Sequence, residues 1–146
     1  MKKVLFVCKN NVFRSRIAEY FFKKINKNKK YKAESAGIFK WNKKDLKKDK
    51  GYHALKKVIK KLGIKLPMNS KGINSSLLKK TDILVIVADD VPSFLFKDKK
   101  AFNGKIIVWK TKDVEEGDKH YEKRGTMYRS IKFIERKVRE FVKKLK

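Results

Sequence analysis

The sequence predicts an α/β fold: a doubly wound sheet of four parallel strands in the order 2-1-3-4, with helices on both faces. Short apolar runs rich in β-branched residues alternate with segments of helical periodicity along the chain. Such alternation requires right-handed crossovers, which place helices over a parallel sheet. Neither an internal repeat nor a linker interrupts the 146 residues, so we expect a single domain spanning residues 1–146.

Four apolar runs are expected to form the strands: KVLFVC (3–8), YKAESA (31–36), DILVIVA (82–88) and KIIVW (105–109). Apolar residues at helical spacing predict a helix from about Ser15 into the Asn/Lys-rich stretch near 26–30, a second over 55–62 and a long one over 127–145. A short helix near 74–80 and a brief helical turn around 92–97 are also expected. Gly63 is expected to end the second of these helices, because glycine readily adopts the left-handed conformation of a helix C-terminus. The lysine-rich stretch that leads to residue 50 is expected to be a loop.

The chain is strongly basic, with 42 lysines and arginines against 15 acidic residues and a net charge of +27. This charge predicts non-specific attraction to polyanions, nucleic acid included, through long-range electrostatics. Only 6 of the 42 basic residues are arginines, whereas base recognition and phosphate binding by paired donors favour arginine. We therefore interpret most of the lysines as a solvated surface rather than a dedicated nucleic-acid interface.

The apolar content also bears on location. No apolar run approaches the roughly 20 residues that a membrane-spanning helix needs, so no membrane partner is expected. The apolar stretch in MKKVLFVCKN is too short for a signal peptide and lacks a small-residue cleavage site. The single cysteine excludes an intrachain disulfide, which fits a reducing compartment. We expect a cytoplasmic protein.

The most informative stretch is VLFVCKNNVFRSRIAE, residues 4–19, in which Cys8 ends the predicted first strand and Arg14 lies just before the helix predicted to begin at about Ser15. Backbone N–H groups at a helix start have no partners within the helix, and the helix dipole adds positive charge there. Asn10 and Asn11 favour a tightly curled loop, since asparagine tolerates left-handed backbone conformations. Arg14 adds a planar fork of donors. The stretch therefore predicts a site for a phosphate-sized anion.

A thiol at the centre of such a loop is expected to react. The donors that bind an anion also stabilise a thiolate, which is the nucleophilic form of cysteine. A Cys8 thiolate beneath a bound phosphate would be positioned for in-line attack on phosphorus, giving a cysteinyl-phosphate intermediate. The two histidines are isolated in the sequence and do not make a metal site, so neither a metal nor a cofactor is expected.

At this point the sequence resembles the low-molecular-weight protein tyrosine phosphatases. The loop of that family reads cysteine, two residues, asparagine, two residues, arginine and serine, as in CKNNVFRSRIAE. The resemblance continues through ESAG (34–37), LGI (62–64) and TDILVIVAD (81–89). It implies that Cys8 is the nucleophile and Arg14 the phosphate clamp. It also implies the remaining site residues, which bind phosphate or substrate or support the loop: Lys9, Asn10, Asn11, Val12, Phe13, Ser15, Ser35 and Trp41.

The general acid of the family is an aspartate in a loop after the last strand. The matching segment is WKTKDVEEGD, which makes Asp113 the expected acid and Asp118 a possible substitute. Its task would be to protonate the leaving phenolate and then to activate water. Val114 stands where the family usually has a proline, so this segment departs from the pattern.

The resemblance implies a phosphorylated protein as the partner. Related arsenate reductases need further cysteines, which this chain lacks. Relatives that act on phosphoarginine tend to have threonine where this chain has Val12, so aryl phosphates are favoured. The alternative is a phosphatase-like module that binds anions or RNA through its positive surface, with weak or no catalysis.

Overall fold

The computed structural model describes residues 1–66, 70–113 and 125–146. Its sheet contains β1 (Lys2–Cys8), β2 (Tyr31–Gly37), β3 (Ile83–Val87) and β4 (Lys105–Trp109), all of them paired in parallel. The strand order is β2-β1-β3-β4, which confirms the predicted topology. The central position of β1 brings the loop that follows it between the ends of β2 and β3.

The helices are α1 (Arg14–Ile25), α2 (Lys43–Lys48), α3 (Lys50–Leu62), α4 (Ser75–Lys79) and α5 (Thr126–Lys144), with a 3₁₀ turn at Ser93–Phe96. Gly63 ends α3 with a φ of 70°, as its position in the sequence predicts. Among the helices so described, none combines the length and the apolar character needed to cross a membrane.

The prediction of a loop before residue 50 was wrong, because α2 lies there. Asn42 caps α2: its side chain accepts a hydrogen bond from the Asp45 N–H, and the Asp45 side chain accepts one from the Asn42 N–H. Leu46 is fully buried and ties the helix to the protein core. With a single buried apolar residue, this helix has no hydrophobic periodicity for sequence reasoning to detect.

Alternate residues of the strands face two separate apolar cores. Val4 and Phe6 of β1 point to the larger core, which α1, α3 and α5 cover. Leu5 and Val7 point to the smaller core, whose covering residues come from α4, the 3₁₀ turn and the segment after it. Both faces of the sheet therefore carry helices, as predicted, and the carboxyl ends of the strands form one edge with Cys8 at its centre.

Candidate active site

Cys8 is the last residue of β1 and is 2% exposed. The chain after it curls tightly into α1, and Asn11 lies at the bend with a φ of 53°, in the left-handed region. The β2 end fixes the entry to this loop, since the Ile38 N–H donates to the Cys8 carbonyl and the Phe39 N–H to the Lys9 carbonyl. The loop is thus anchored to the sheet on the side of β2.

Helix α1 opens directly onto the loop. Its N-cap residue, Phe13, has no side-chain capping hydrogen bond, and no acidic residue lies in the first turn. The first N–H groups of a helix so built are donors without intrahelical partners, and the helix dipole makes the region attractive to an anion. This geometry suits a phosphate-sized anion held by backbone donors.

The Asn11 side chain lies at the centre of a buried hydrogen-bond network. Its Oδ1 accepts from the Lys71 N–H at 2.8 Å, which fixes which end of the amide is the donor. Its Nδ2 then donates to the Ser15 Oγ at 2.8 Å and to the Ser35 Oγ at 2.9 Å. The Ser35 hydroxyl donates onward to the Glu19 Oε1 at 2.5 Å. Three of the four amide hydrogen bonds of Asn11 are made, and the loop is held from within.

This network orients the hydroxyl group nearest the cysteine. The Ser15 Oγ lies 3.0 Å from the Cys8 Sγ, and it already accepts a hydrogen bond from Asn11. An ionised sulfur can only accept, so the Ser15 hydroxyl is the donor to the thiolate. Such a charge-assisted hydrogen bond stabilises the nucleophilic form of Cys8.

The segment at residues 70–73 supports the loop from outside. The Ser70 hydroxyl donates to the Asn10 carbonyl at 2.8 Å, and the Gly37 N–H donates to the Lys71 carbonyl at 2.7 Å. A Cβ on Gly37 would lie 2.7 Å from the backbone of Asn10 and Asn11, so only glycine allows β2 to pack this closely on the loop. The loop conformation depends on contacts far apart in the sequence.

Arg14 is 2% exposed, and its guanidinium lies among acceptors from two strand ends. The Nη1 donates to the Thr111 carbonyl at 2.9 Å, and the Nη2 lies 3.0 Å from the Asp90 Oδ1. Asp89 and Asp113 are further away, each with an oxygen 3.7 Å from the guanidinium nitrogens. The side chains of the three aspartates are between 37% and 51% exposed, so three partly solvated carboxylates face one buried cation.

The remaining predicted residues occupy varied positions. Lys9 is exposed and Val12 is half-buried, whereas the Phe13 side chain packs in the larger core, so that only its backbone is available to the loop. Trp41 is half-buried against that core, and its backbone N–H donates to the Ser70 hydroxyl oxygen. Asp118, the possible substitute for Asp113, lies outside the described residues.

Sequence reasoning missed several residues that the fold brings to the site. Asp89 and Asp90 follow β3 directly, and their position beside the end of β1 could have been anticipated from the predicted strand order. Glu19, Ser70 and Lys71 support the loop through contacts that carry no periodic signal. In the part of the chain described, no group of His, Cys, Asp and Glu side chains is arranged to hold a metal ion.

The site thus joins a thiol, a hydroxyl donor, an open helix N-terminus, a buried guanidinium and nearby carboxylates. These are the groups required to bind a phosphoryl group, attack it and transfer a proton. Nucleophile and donors lie at the carboxyl edge of the sheet, where open α/β sheets bind their ligands.

Solved structures with the same fold cover almost the whole chain. An arsenate reductase from Archaeoglobus fulgidus is 26% identical, with a TM-score of 0.67, over 97% of this chain and 99% of its own. The YwlE arginine phosphatase from Geobacillus stearothermophilus is 15% identical, with a TM-score of 0.76, over 99% and 92%. The low-molecular-weight protein tyrosine phosphatase SP-PTP from Streptococcus pyogenes is 19% identical, with a TM-score of 0.73, over 100% and 94%. The latter two likenesses establish the fold alone.

No curated protein matches the sequence. A family sequence model does, and its match extends through residues 3–146, which include the loop, the three aspartates at Arg14 and the four strands except Lys2. The chain therefore belongs to the low-molecular-weight phosphotyrosine protein phosphatase family.

Proposed function

We propose that the protein is a cytoplasmic protein-tyrosine phosphatase that hydrolyses aryl phosphate esters on phosphorylated proteins through a cysteinyl-phosphate intermediate. The observation that carries this proposal is the Asn11–Ser15–Cys8 hydrogen-bond chain at an uncapped helix N-terminus. A buried cysteine with an apolar role alone needs no such donors. Family membership supports phosphatase chemistry, and Val12 in the loop supports the preference for aryl esters.

The proposed reaction has two steps. The substrate phosphate binds the loop N–H groups and Arg14, the Cys8 thiolate attacks phosphorus, and the bond to the phenolic oxygen breaks. Asp113 donates its proton to that oxygen as it leaves. The Asp113 carboxylate then takes a proton from water, whose oxygen attacks the phosphorus and breaks the P–S bond. Inorganic phosphate leaves, and both Cys8 thiolate and protonated Asp113 are restored.

The loop residue Val12 supports aryl phosphates over other substrates. It is half-buried beside the phosphate-binding donors and offers no hydroxyl group to a guanidinium substituent. The arsenate reductase and arginine phosphatase among the similar structures leave those two activities as the competitors to be tested. Arsenate reduction through a relay of cysteines within the chain needs a second cysteine, and the sequence has only Cys8.

The test compares phosphotyrosine, phosphoserine and phosphoarginine peptides at fixed ionic strength, with para-nitrophenyl phosphate as the reference. We expect turnover of the aryl phosphates, and loss of turnover to background in Cys8→Ser, because the serine hydroxyl is a far weaker nucleophile than the thiolate. Ser76→Ala, at an exposed position, is the control that shows whether substitution and purification by themselves change turnover. Unchanged turnover in Cys8→Ser would exclude the mechanism, and preferred hydrolysis of phosphoarginine would exclude the substrate class.

A second function is favoured by a different observation. The Arg14 guanidinium is bound to a carbonyl and to carboxylates rather than open to a substrate, which fits a protein with little catalysis. The net charge of +27 fits a module that binds polyanions. Measured RNA affinity that falls steeply with salt, together with no turnover of any phosphate ester, would favour this second function. Turnover that depends on Cys8 would exclude it as the main activity.

A further inference from the structure

Arg16 is a buried cation that the proposed reaction does not use. It is 4% exposed, and its Nη1 donates to the Val12 carbonyl at 3.3 Å. A guanidinium has five N–H donors, and among residues 1–66, 70–113 and 125–146 no other hydrogen bond of the Arg16 side chain is found. A buried charge with so few partners is unfavourable unless another molecule supplies acceptors.

The electrostatic surroundings of Arg16 agree with this description. Burial lowers the pKa of Arg16, and the negative charges available from Tyr52, Glu19 and Cys8 only partly oppose this effect. The guanidinium has no ion pair within 4.0 Å to an acidic side chain in the described part of the protein. Within the described residues the group is therefore a desolvated cation without an ion-pair partner.

Two cavities meet at Arg16. The first, of about 560 Å³, has an apolar wall of Tyr52, Leu55, Ile59 and Ile64. The second, of about 720 Å³, is a basic groove lined by Lys23, Lys24, Lys65 and Lys71, among others. Arg16, Lys65 and Leu66 line both cavities, so the buried guanidinium lies between an apolar space and a cationic one. Each volume is within the range of small-molecule sites.

The groove retains positive charge after its internal pairs are counted. Lys23 pairs with Glu19, and Lys71 pairs with Glu34. Lys24 lies over the Tyr20 ring, and among the residues that the structure describes neither Lys24 nor Lys65 has an ion pair. Two lysines and the arginine therefore remain available, and a planar guanidinium flanked by ammonium groups matches the several oxygens of a phosphate.

We propose that Arg16 anchors a second anion site that binds an organic phosphate, with an apolar or aromatic body in the first cavity and phosphate groups on Arg16 and Lys65. This inference goes beyond the proposed function and does not depend on catalysis. The site adjoins the loop, because Arg16 donates to the Val12 carbonyl and the groove is also lined by Asn11, Glu19 and Ser35.

The test is an NMR titration of the full chain that observes the methyl groups of Leu55, Ile59 and Ile64. The probes are ADP, which combines an aromatic body with phosphates, pyrophosphate, which has only the phosphates, and adenosine, which has only the body. The methyl signals report the first cavity directly, whereas the amides of residues 8–13 report binding at the catalytic loop. Two separate binding events are thereby resolved on one sample.

We expect ADP to shift the three methyl signals, pyrophosphate to bind more weakly, and adenosine to bind weakest. Arg16→Gln should weaken ADP binding by about tenfold or more, because it removes charge-assisted hydrogen bonds. Lys65→Met, at an exposed side chain, should weaken binding about two- to fivefold. Lys57→Met removes the same charge from the exposed face of α3, outside both cavities, and should change affinity less than about twofold.

Three results would overturn the anion site itself, and a fourth would overturn its apolar part. One is the absence of methyl shifts at millimolar ADP, which would mean that water alone solvates Arg16. Another is equal ADP affinity in the native chain and in Arg16→Gln. The last is equal weakening in Lys57→Met and Lys65→Met, which would indicate attraction to the overall positive charge. Pyrophosphate that binds as tightly as ADP would contradict the role of the apolar cavity.

Discussion

The two sides of the candidate active site hold their polar groups in different ways. On the loop side, Asn11, Ser15 and Ser35 are buried, and each makes hydrogen bonds at 2.8–3.0 Å to partners in the protein. On the acidic side, the carboxylates of Asp89, Asp90 and Asp113 are partly solvated and converge on Arg14 at 3.0–3.7 Å. The loop side is held by buried hydrogen bonds within the protein, and the acidic side by partly solvated ion pairs with Arg14.

This difference assigns separate tasks to the two sides. A buried hydrogen-bond network holds one conformation, because breaking one of its hydrogen bonds leaves a buried polar group unpaired at a cost of about 1–3 kcal/mol. On the acidic side only the Arg14 guanidinium is buried, whereas its three carboxylate partners are partly solvated, so water can hydrate a carboxylate when another anion takes its place at the guanidinium. In the proposed reaction Arg14 exchanges carboxylate for phosphate when the substrate binds, and the partly solvated acidic side is the side that would permit this exchange.

The largest expected effect concerns the acidic side. Asp113→Asn should lower turnover about 10²–10⁴-fold, because the leaving oxygen loses its proton donor. The loss should be greater for alkyl-substituted phenyl phosphates than for para-nitrophenyl phosphate, whose leaving group needs less protonation. Measured kcat across a series of leaving groups would show this dependence.

Asp90→Asn is the matched comparison, since Asp90 has the shortest distance to Arg14 of the three aspartates. It should lower turnover about tenfold and equally for all leaving groups, because it alters how Arg14 is held rather than proton transfer. A leaving-group dependence in Asp118→Asn instead of Asp113→Asn would move the general acid to Asp118. If turnover depends on the leaving group in neither the Asp113 nor the Asp118 variant, an aspartate is not the general acid.

The next effect tests the rigidity of the loop side. Gly37→Ala places a Cβ 2.7 Å from the backbone of Asn10 and Asn11, and backbone atoms cannot move aside as a flexible side chain can. We expect a loss of about 3 kcal/mol in the free energy of unfolding, at the upper end of ordinary overpacking. Gly72→Ala, where the nearest atom is a side-chain carbon of Lys40 at 3.4 Å, is the control. Equal stability of the two variants in denaturant titrations would contradict the close packing of β2 on the loop.

These two sides also differ in how far the sequence predicts them. The loop from Cys8 to Ser15 follows from local signals: an apolar run that ends, an asparagine that accepts a positive φ, and a helix that begins. The pairing of Arg14 with Asp90 depends on two distant segments and their side-chain conformations, which no periodicity encodes. Only the placement of Asp90 at the carboxyl end of β3 was accessible from the strand pattern.

Supporting contacts were the least predictable. Ser70 and Lys71 contact the loop because backbone hydrogen bonds hold residues 71–73 beside Gly37. Residues 70–73 have no hydrophobic periodicity that would predict this contact. Asn42 is a recognisable N-cap residue and could have predicted the start of α2. The helix has only one buried apolar residue, however, so no hydrophobic periodicity follows the cap. Topology therefore followed from hydrophobic patterning, whereas the supporting shell followed from tertiary packing.

Ser35→Ala removes one member of the loop network and should have an intermediate effect. Asn11 loses an acceptor and Glu19 loses a donor, so we expect about 1–3 kcal/mol lower stability and reduced turnover. Ser76→Ala, on the exposed face of α4, should change stability by less than about 0.5 kcal/mol. Lower stability with unchanged turnover would mean that Ser35 supports the fold but not the orientation of Ser15.

The smallest expected effect concerns the exposed ion pair between Lys71, which supports the loop, and Glu34. Lys71 holds Asn11 through its backbone N–H, while its ammonium group pairs with Glu34 at 2.6 Å. Partial burial tends to raise the pKa of Glu34, but hydrogen bonds and charges from Lys71 and Lys3 outweigh it and hold the pKa below the ordinary value of 4.5. A lowered folded-state pKa means that Glu34 stabilises the fold above its unfolded-state pKa and that this stability is lost as the pH falls through the folded-state pKa.

Glu34→Gln should therefore lower the free energy of unfolding by less than about 1 kcal/mol at pH 7, since the pair is partly solvated. The difference from the native chain should shrink as the pH falls below the ordinary value of 4.5 and should vanish once Glu34 is protonated in both states. Denaturant titrations across this range measure it, with the exposed Glu140→Gln as the matched control. Turnover should stay unchanged, because the backbone N–H of Lys71 still binds Asn11 without the Glu34 charge. A loss of turnover in Glu34→Gln would show that charge on the surface, and not the buried network alone, positions the loop.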